Sequence, residues 1–351
     1  MSRRPPATIE QARAALAGGW PDTASTDPSP FGAGLINDTF AVDTDAGRFV
    51  LQRVHPVFSP QIHHNIVAVT DALERAGLGT PRLVPTATDE PWHEDDAGVW
   101  RLQTRACGHS VDAIDSPARA EAAGRFLARF HGALADLDHE FVGMRAGVHD
   151  TAAHLATLRA AVDEHRGHRL HAEVAELAAA IEARAATLPA LTSLPERIVH
   201  GDPKLNNFLF DDADHVHCLV DLDTVGPMPL PLELGDAWRS WCNPAGEDDT
   251  RGRFDLDTFD ASVRGYAAGN SLDLQAAERD ALVYGVEWIT LELSARFAAD
   301  ALREAYFGWD AGKYAGAGEH NLVRARGQWA LHEAAVAVRE PRARTLRREL
   351  G

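Results

Sequence analysis

The sequence predicts an α+β fold of two unequal lobes. Three observations predict it. Short alternating segments with turn residues between them are confined to the first part of the chain. Long Ala-rich stretches of helical periodicity follow. Within that helical part lie two apolar runs, 208–210 and 216–220, joined by turn-forming residues. A length of 351 residues suits two subdomains around a shared cleft.

In chain order, the Pro-rich start reads as a loose lead-in around one short helix over 9–16. Gly32 and Gly34 precede a strand at 39–42. After a turn at 43–47, a second strand at 49–54 completes an antiparallel hairpin. Ile62, Ile66, Val69 and Leu73 recur at helical spacing, which predicts a helix over 61–76 ended by Gly77. Residues 82–84 and 99–104 read as further strands. The lobe boundary falls near 105–108, so residues 1–104 form the first lobe and 105–351 the second. In the second, Phe126, Phe130, Leu134 and Leu137 mark one side of a helix over 121–137. Residues 151–187 are largely helical with a break near Gly167, and 281–302 is helical again.

Composition excludes several classes. Hydrophobic residues at 45% and charged residues at 25% are ordinary for a globular protein. The net charge of −18 opposes nucleic-acid binding, which wants a basic face. No apolar run reaches the ~20 residues that cross a bilayer, and no apolar stretch follows the first residues as in a signal peptide. The three cysteines, Cys107, Cys218 and Cys242, form no C-x-x-C pair, which argues against a disulfide framework or a structural zinc site. A cytoplasmic location is expected. Lysine occurs only at Lys204 and Lys313, which makes the lysine at 204 informative.

The chemistry is concentrated in residues 198–223. In an antiparallel hairpin, residues equally far from the turn face each other. Asn207 and Asp221 are equidistant from Asp214, so the pattern sets an amide oxygen beside a carboxylate, with Asp202 and Lys204 in the loop just before. Such hard oxygen ligands suit Mg²⁺ carrying nucleotide phosphates. A nearby lysine neutralises a transferred phosphoryl group, and a separate carboxylate accepts a hydroxyl proton. Phosphoryl transfer needs these parts, because positioning and charge stabilisation supply most of the catalysis.

His200-x-Asp202-x-Lys204-x-x-Asn207 followed by Asp221 resembles the catalytic loop and metal-binding aspartate of the aminoglycoside phosphotransferase and choline kinase superfamily, itself related to protein kinases. The resemblance implies a protein-kinase-like two-lobed fold and ATP-dependent phosphorylation of a small-molecule hydroxyl. It implies that Asp202 is the catalytic base, that Lys204 contacts the γ-phosphate and that Asn207 and Asp221 hold Mg²⁺. Asp223 is open between metal, substrate and bracing roles. Further blocks extend the likeness: 34–39, 50–53, 149–151, 220–225, 234–239, 292–296 and 321–324. Their order resembles the N-acetylhexosamine 1-kinase branch, which phosphorylates the anomeric hydroxyl of N-acetylated hexosamines. Two departures stand out. Leu35 occupies a place where that branch commonly has His. The small lobe contains no lysine, so Gln52 or Arg53 occupies the neighbourhood of the usual phosphate-clamping lysine, and Asn65 lies near the place of its glutamate partner.

Other residues have plainer readings. Gly32 and Gly34 let backbone amides approach phosphates, or form an ordinary turn. Arg53 is also readable as a surface residue on an alternating strand. Asp236 is expected to cap a helix and brace the catalytic loop. Glu292 and Arg296 are spaced for a helix-surface ion pair. Arg296, Tyr306 and Asp223 are candidate contacts to an acceptor sugar. Aminoglycoside, choline-like and homoserine kinases share the same core and remain alternatives, as does a nucleotide-binding pseudokinase.

Overall fold

The computed structural model describes residues 4–23, 26–32, 36–145, 147–189, 194–246 and 248–351. Helix α1 (Ile9–Gly19) opens the chain, its first turn closed by a capping box between Thr8 and Gln11. Five short strands follow: β1 (Ser29–Pro30), β2 (Asp38–Thr44), β3 (Gly47–Arg53), β4 (His93–Asp95) and β5 (Gly98–Thr104). They form one antiparallel sheet in the order β1-β2-β3-β5-β4. The strand expected at 82–84 is reduced to a single bridge, Leu83 to Gln103.

Register sorts the side chains of this sheet. Phe40, Leu51 and Leu102 are cross-strand partners, and they pack with Trp100 against Ala12, Ala15 and Leu16 of α1. Side chains alternate along a strand. Thr39, Gln52 and Arg101, also cross-strand partners, therefore point away from α1.

Helix α2 (Ile62–Arg75) crosses between β3 and β4. Ile62, Ile66, Val69 and Leu73 are all buried, as their spacing requires. Burying each such side chain stabilises by about 1.5–3 kcal/mol.

At 105–109 the chain passes into a larger helical part, tied by reciprocal backbone hydrogen bonds of 2.9 Å between His109 and Phe210. Helix α3 (Pro117–Ala133) begins before its expected start, because Ser116 caps it and Pro117 suits its first turn. Helices α4 (Thr151–Glu164) and α5 (His171–Ala185) are separated near Gly167 as expected. Strand β6 (Glu196–Val199) pairs with β9 (Gly226–Pro229), and β7 (Phe208–Phe210) pairs with β8 (Val216–Leu219). Helices α6 (Leu230–Trp241), α7 (Leu256–Gly269), α8 (Ala276–Arg303), α9 (Ala317–Ala337) and α10 (Arg339–Leu350) complete the chain.

The crossing of α6 and α8 is a backbone contact. A Cβ on Gly285 would lie 1.9 Å from the Pro231 carbonyl oxygen, and one on Gly235 would lie 2.3 Å from the Gly285 carbonyl carbon. Neither position admits a side chain. No helix among the described residues is long and apolar enough to cross a membrane.

Candidate active site

The loop between β6 and β7 is built on α6. After Val199 the chain turns through Gly201, whose φ of +82° favours glycine. A Cβ there would lie 2.4 Å from the Thr224 carbonyl oxygen. The buried Glu233 accepts the His200 amide at 3.1 Å on Oε1 and the Gly201 amide at 2.9 Å on Oε2. Farther along α6, Ser240 Oγ accepts the Leu205 amide and Trp241 Nε1 donates to the Pro203 carbonyl, both at 3.0 Å. His200 is fully buried, its Nε2 2.9 Å from the Val220 carbonyl. Asp236, expected to cap a helix, instead lies inside α6 and accepts Arg239 Nε at 2.7 Å. The bracing carboxyl is Glu233.

Within this frame Asp202 Oδ2 pairs with Lys204 Nζ. Asn207 Nδ2 donates to the Asp202 carbonyl at 2.8 Å, leaving Oδ1 without a partner among the described residues. The β7–β8 hairpin corrects the expected register. Phe208 faces Leu219, a bulge intervenes between Leu209 and Phe210, and the Val220 amide donates to the Asn207 carbonyl at 2.9 Å. Asn207 is therefore opposite Val220 rather than Asp221. Asp221 follows in the left-handed conformation, φ 67° and ψ 56°, which turns the chain into a short 3-10 turn at Leu222–Thr224. Burial, and then the charge of Asp223, push the Asp221 carboxyl above its ordinary range. Burial works against the Lys204 ammonium, but the charges of Asp202 and Asp221 outweigh it and raise its pKa. Among the described residues, no cluster of three or more His, Cys, Asp or Glu converges on a metal site. The Asn207 oxygen and the Asp221 carboxylate are a two-residue oxygen set. That fits Mg²⁺, which keeps several waters and takes further oxygens from substrate phosphates.

The small sheet presents Thr39, Gln52 and Arg101 towards this loop. Gln52 Nε2 donates to Thr39 Oγ1 at 3.1 Å, and Arg101 Nε donates to Gln52 Oε1 at 2.9 Å. Arg101 Nη1 pairs with Asp223 Oδ1, and Asn37 Nδ2 donates to Asp223 Oδ2 at 2.8 Å. Arg53, a candidate for the clamping cation, is on the opposite face. Its guanidinium binds Asp38 Oδ2 at 2.8 Å and the Pro5 carbonyl at 2.7 Å, on the α1 side. Alternation forces this, because Arg53 follows Gln52 directly on β3. Asn65 pairs with no sheet cation; it clamps the Val142 backbone at 2.8 and 3.0 Å. Gly32 is exposed with φ +75°, whereas Gly34 and Leu35 lie outside the described residues.

A cavity of about 530 Å³ opens beside Gly201 and Asp223. Ile62, Met144, Met228, Leu232 and Trp288 give it apolar walls, with His149, Asp150 and Thr151 at one side. Glu292 is buried beneath that side. It accepts Thr151 Oγ1 at 3.0 Å and meets His149 Nδ1 at 3.1 Å. Burial disfavours the His149 imidazolium, but its hydrogen bond to Glu292 and that group's charge prevail, so the pKa is raised. Glu292 is thus an anchor for the 149–151 segment, and its contact with Arg296 is looser at 3.8 Å. Arg296 and Tyr306 are not in the cavity wall. Arg296 lies 5.8 Å over the Phe307 ring, and Tyr306 is half-exposed, its hydroxyl 3.4 Å from Arg145.

Sequence reasoning missed Glu233, Asn37 and Arg101. The alternation of β5 was the available signal for the last.

Known proteins share this fold. An amicoumacin kinase, hAmiN, in complex with AMP-PNP, Ca²⁺ and Ami superposes with a TM-score of 0.64 at 14% identity, covering 93% of this chain and 94% of that one. A microcompartment-associated aminopropanol kinase gives 0.62 at 16% identity, with coverages of 95% and 98%. An aminoglycoside phosphotransferase from Alicyclobacillus acidocaldarius gives 0.60 at 17%, with coverages of 97% and 98%. At these identities the likeness is one of fold. The family model described as APH, phosphotransferase enzyme family, matches residues 27–270, more than half of the chain, and that span holds the whole candidate catalytic loop. The chain therefore belongs to the APH phosphotransferase family and is a kinase of small-molecule alcohol groups.

Proposed function

We propose that this phosphotransferase is an ATP-dependent, Mg²⁺-requiring sugar kinase, with residues 1–104 as its nucleotide lobe and 105–351 carrying the catalytic loop and acceptor site. The observation that carries the reading is the loop itself. Asp202 and Lys204 are paired, Asn207 is fixed by the Asp202 carbonyl, and Asp221 follows the facing strand. Asp202 accepts the proton of the acceptor hydroxyl, and Lys204 meets the transferred phosphoryl group. Asn207 and Asp221 hold Mg²⁺, which neutralises charge on the nucleotide phosphates when bound. Gly32 and Gln52 are assigned to the nucleotide side, and Gly34, outside the described residues, keeps its sequence-based assignment there. The AMP-PNP and Ca²⁺ named for one fold relative support a nucleotide with a divalent cation here. Abundant ATP and Mg²⁺ suit a cytoplasmic enzyme.

For the acceptor, the ordered blocks resembling N-acetylhexosamine 1-kinases favour an N-acetylated hexose phosphorylated at its anomeric hydroxyl. The cavity supports a neutral acceptor. Its walls are apolar, and its polar side offers hydrogen-bonding groups. Asp223 stands in the wall, while Arg296 and Tyr306 act on the site only through Glu292 and Arg145. The test is ATP consumption with N-acetylhexosamines, neutral hexoses, aminoglycosides and choline, with the product read by phosphorus and proton NMR. An anomeric phosphate is expected. Turnover confined to aminoglycosides or choline, or phosphate on another hydroxyl, refutes the acceptor assignment.

A further inference from the structure

The small lobe is without lysine, and Arg53 faces away from the cleft, yet a buried cation does stand on the cleft side of the sheet. Arg101, on β5, is 2% exposed. It is held at two points, by Asp223 through Nη1 and by Gln52 through Nε. Its outer nitrogen, Nη2, has no partner among the described residues and is not among the sealed, unpaired atoms of the interior. Its partner Asp223 lies two residues beyond Asp221 of the proposed metal pair. Arg101 therefore stands between the sheet and the residues proposed to carry the nucleotide's metal.

Taking Arg101 and Asp223 out of water is costly unless both charges are otherwise satisfied. Gln52 and Asn37 satisfy them here, so the pair is a prepared position rather than an accident of packing. A guanidinium presents parallel donors that match phosphate oxygens two at a time. We infer that Arg101 is the small lobe's phosphate-binding cation: Asp223 stores it in the free protein, and the phosphates of a nucleoside di- or triphosphate take it over. The inference rests on the kinase reading. It adds a residue on a different strand from the one where a clamping lysine was expected.

The test is calorimetric binding of ATP, ADP and adenosine to the wild type, Arg101→Gln and Arg101→Lys. Losing charge-assisted hydrogen bonds to phosphate should cost Arg101→Gln about 10- to 100-fold in affinity for ATP and ADP. Adenosine affinity should stay unchanged, and Arg101→Lys should recover part of the loss. Unchanged ATP and ADP affinity in a folded Arg101→Gln variant overturns the inference, as does an equal loss for adenosine, because a mere interlobe strut predicts no dependence on phosphate. A wild type that binds none of the three overturns the nucleotide reading itself. Should Arg101→Gln fail to fold, Asp223→Asn provides the second arm. Freed from its stored partner, Arg101 should bind ADP more tightly in excess EDTA, and an unchanged or lower affinity sinks the inference.

Discussion

Replacing Glu233 by alanine tests how the catalytic loop is held. The carboxyl group is 1% exposed and accepts the His200 and Gly201 amides, one on each oxygen, with His131 Nε2 3.3 Å away. Truncation leaves two backbone donors unpaired next to the proposed base. Hydrogen bonds to a carboxylate are worth about 1.5–3 kcal/mol each, so Glu233→Ala should destabilise by about 3–6 kcal/mol. The same loop carries Asp202, and a displacement of about 1 Å at a reacting group can cost ~10²-fold in rate. Urea unfolding and steady-state kinetics measure the two effects separately. Glu233→Gln should fall between wild type and alanine, because it keeps one acceptor but sets an amide NH₂ against the other backbone donor. A Glu233→Ala protein with stability within about 0.5 kcal/mol of wild type, the usual range for an uninvolved surface site, would refute the reasoning. Lost stability with full turnover would reduce Glu233 to a structural brace.

Further outcomes follow from the same geometry. Asp202→Asn should lose ~10²–10⁴-fold in turnover while ATP still binds, and near-normal turnover removes Asp202 as base. Gly201→Ala should be insoluble or inactive, since its φ of +82° disfavours a side chain and its Cβ would strike the Thr224 carbonyl; wild-type kinetics in that variant contradict the close approach. Asp221→Ala should abolish Mg²⁺-dependent activity, and full activity of the wild type in excess EDTA refutes a metal role for Asn207 and Asp221. Acid should destabilise the protein through His63 and His332, both lowered from 6.5 to about 4 chiefly by burial. The unfolded chain then binds more protons than the folded one between those values, so stability is complete above about 6.5 and falls as pH drops towards 4. A His63→Asn, His332→Asn double variant should show a flatter fall in unfolding free energy over that window; an identical slope rejects the assignment.

Local pattern revealed the elements and the candidate loop, because both depend on spacing. The buried face of α2 and the order Asp202, Lys204, Asn207, Asp221 lie in the sequence itself. Long-range pairings were less legible. On β3, Leu51 and Arg53 are buried on one side and Gln52 faces the other, so polarity could not say which of two adjacent polar residues met the cleft. Arg101 stands in an apolar strand, and its partner is 122 residues away. The turn closes with Phe210 opposite Val216, centred on Ala213 rather than Asp214, and the bulge between Leu209 and Phe210 recovers only part of that offset, so Asn207 meets Val220; the turn composition announced neither. Asp236 and Glu233 sit on the same helix, and only its orientation against β6 decides which one holds the loop.

The seam between α6 and α8 divides the molecule for anyone who would redesign it. Two glycines without room for a methyl group make that joint a fixed chassis, and the catalytic loop is bolted to it through Glu233, Ser240 and Trp241. The segment from Met144 to Thr151 is fastened differently, by Asn65 before it and Glu292 beneath its far end. If this wall holds the acceptor as proposed, a library that randomises it and leaves positions 235 and 285 untouched should exchange the acceptor while the loop keeps its alignment. A library that strays into the seam should yield mostly misfolded clones.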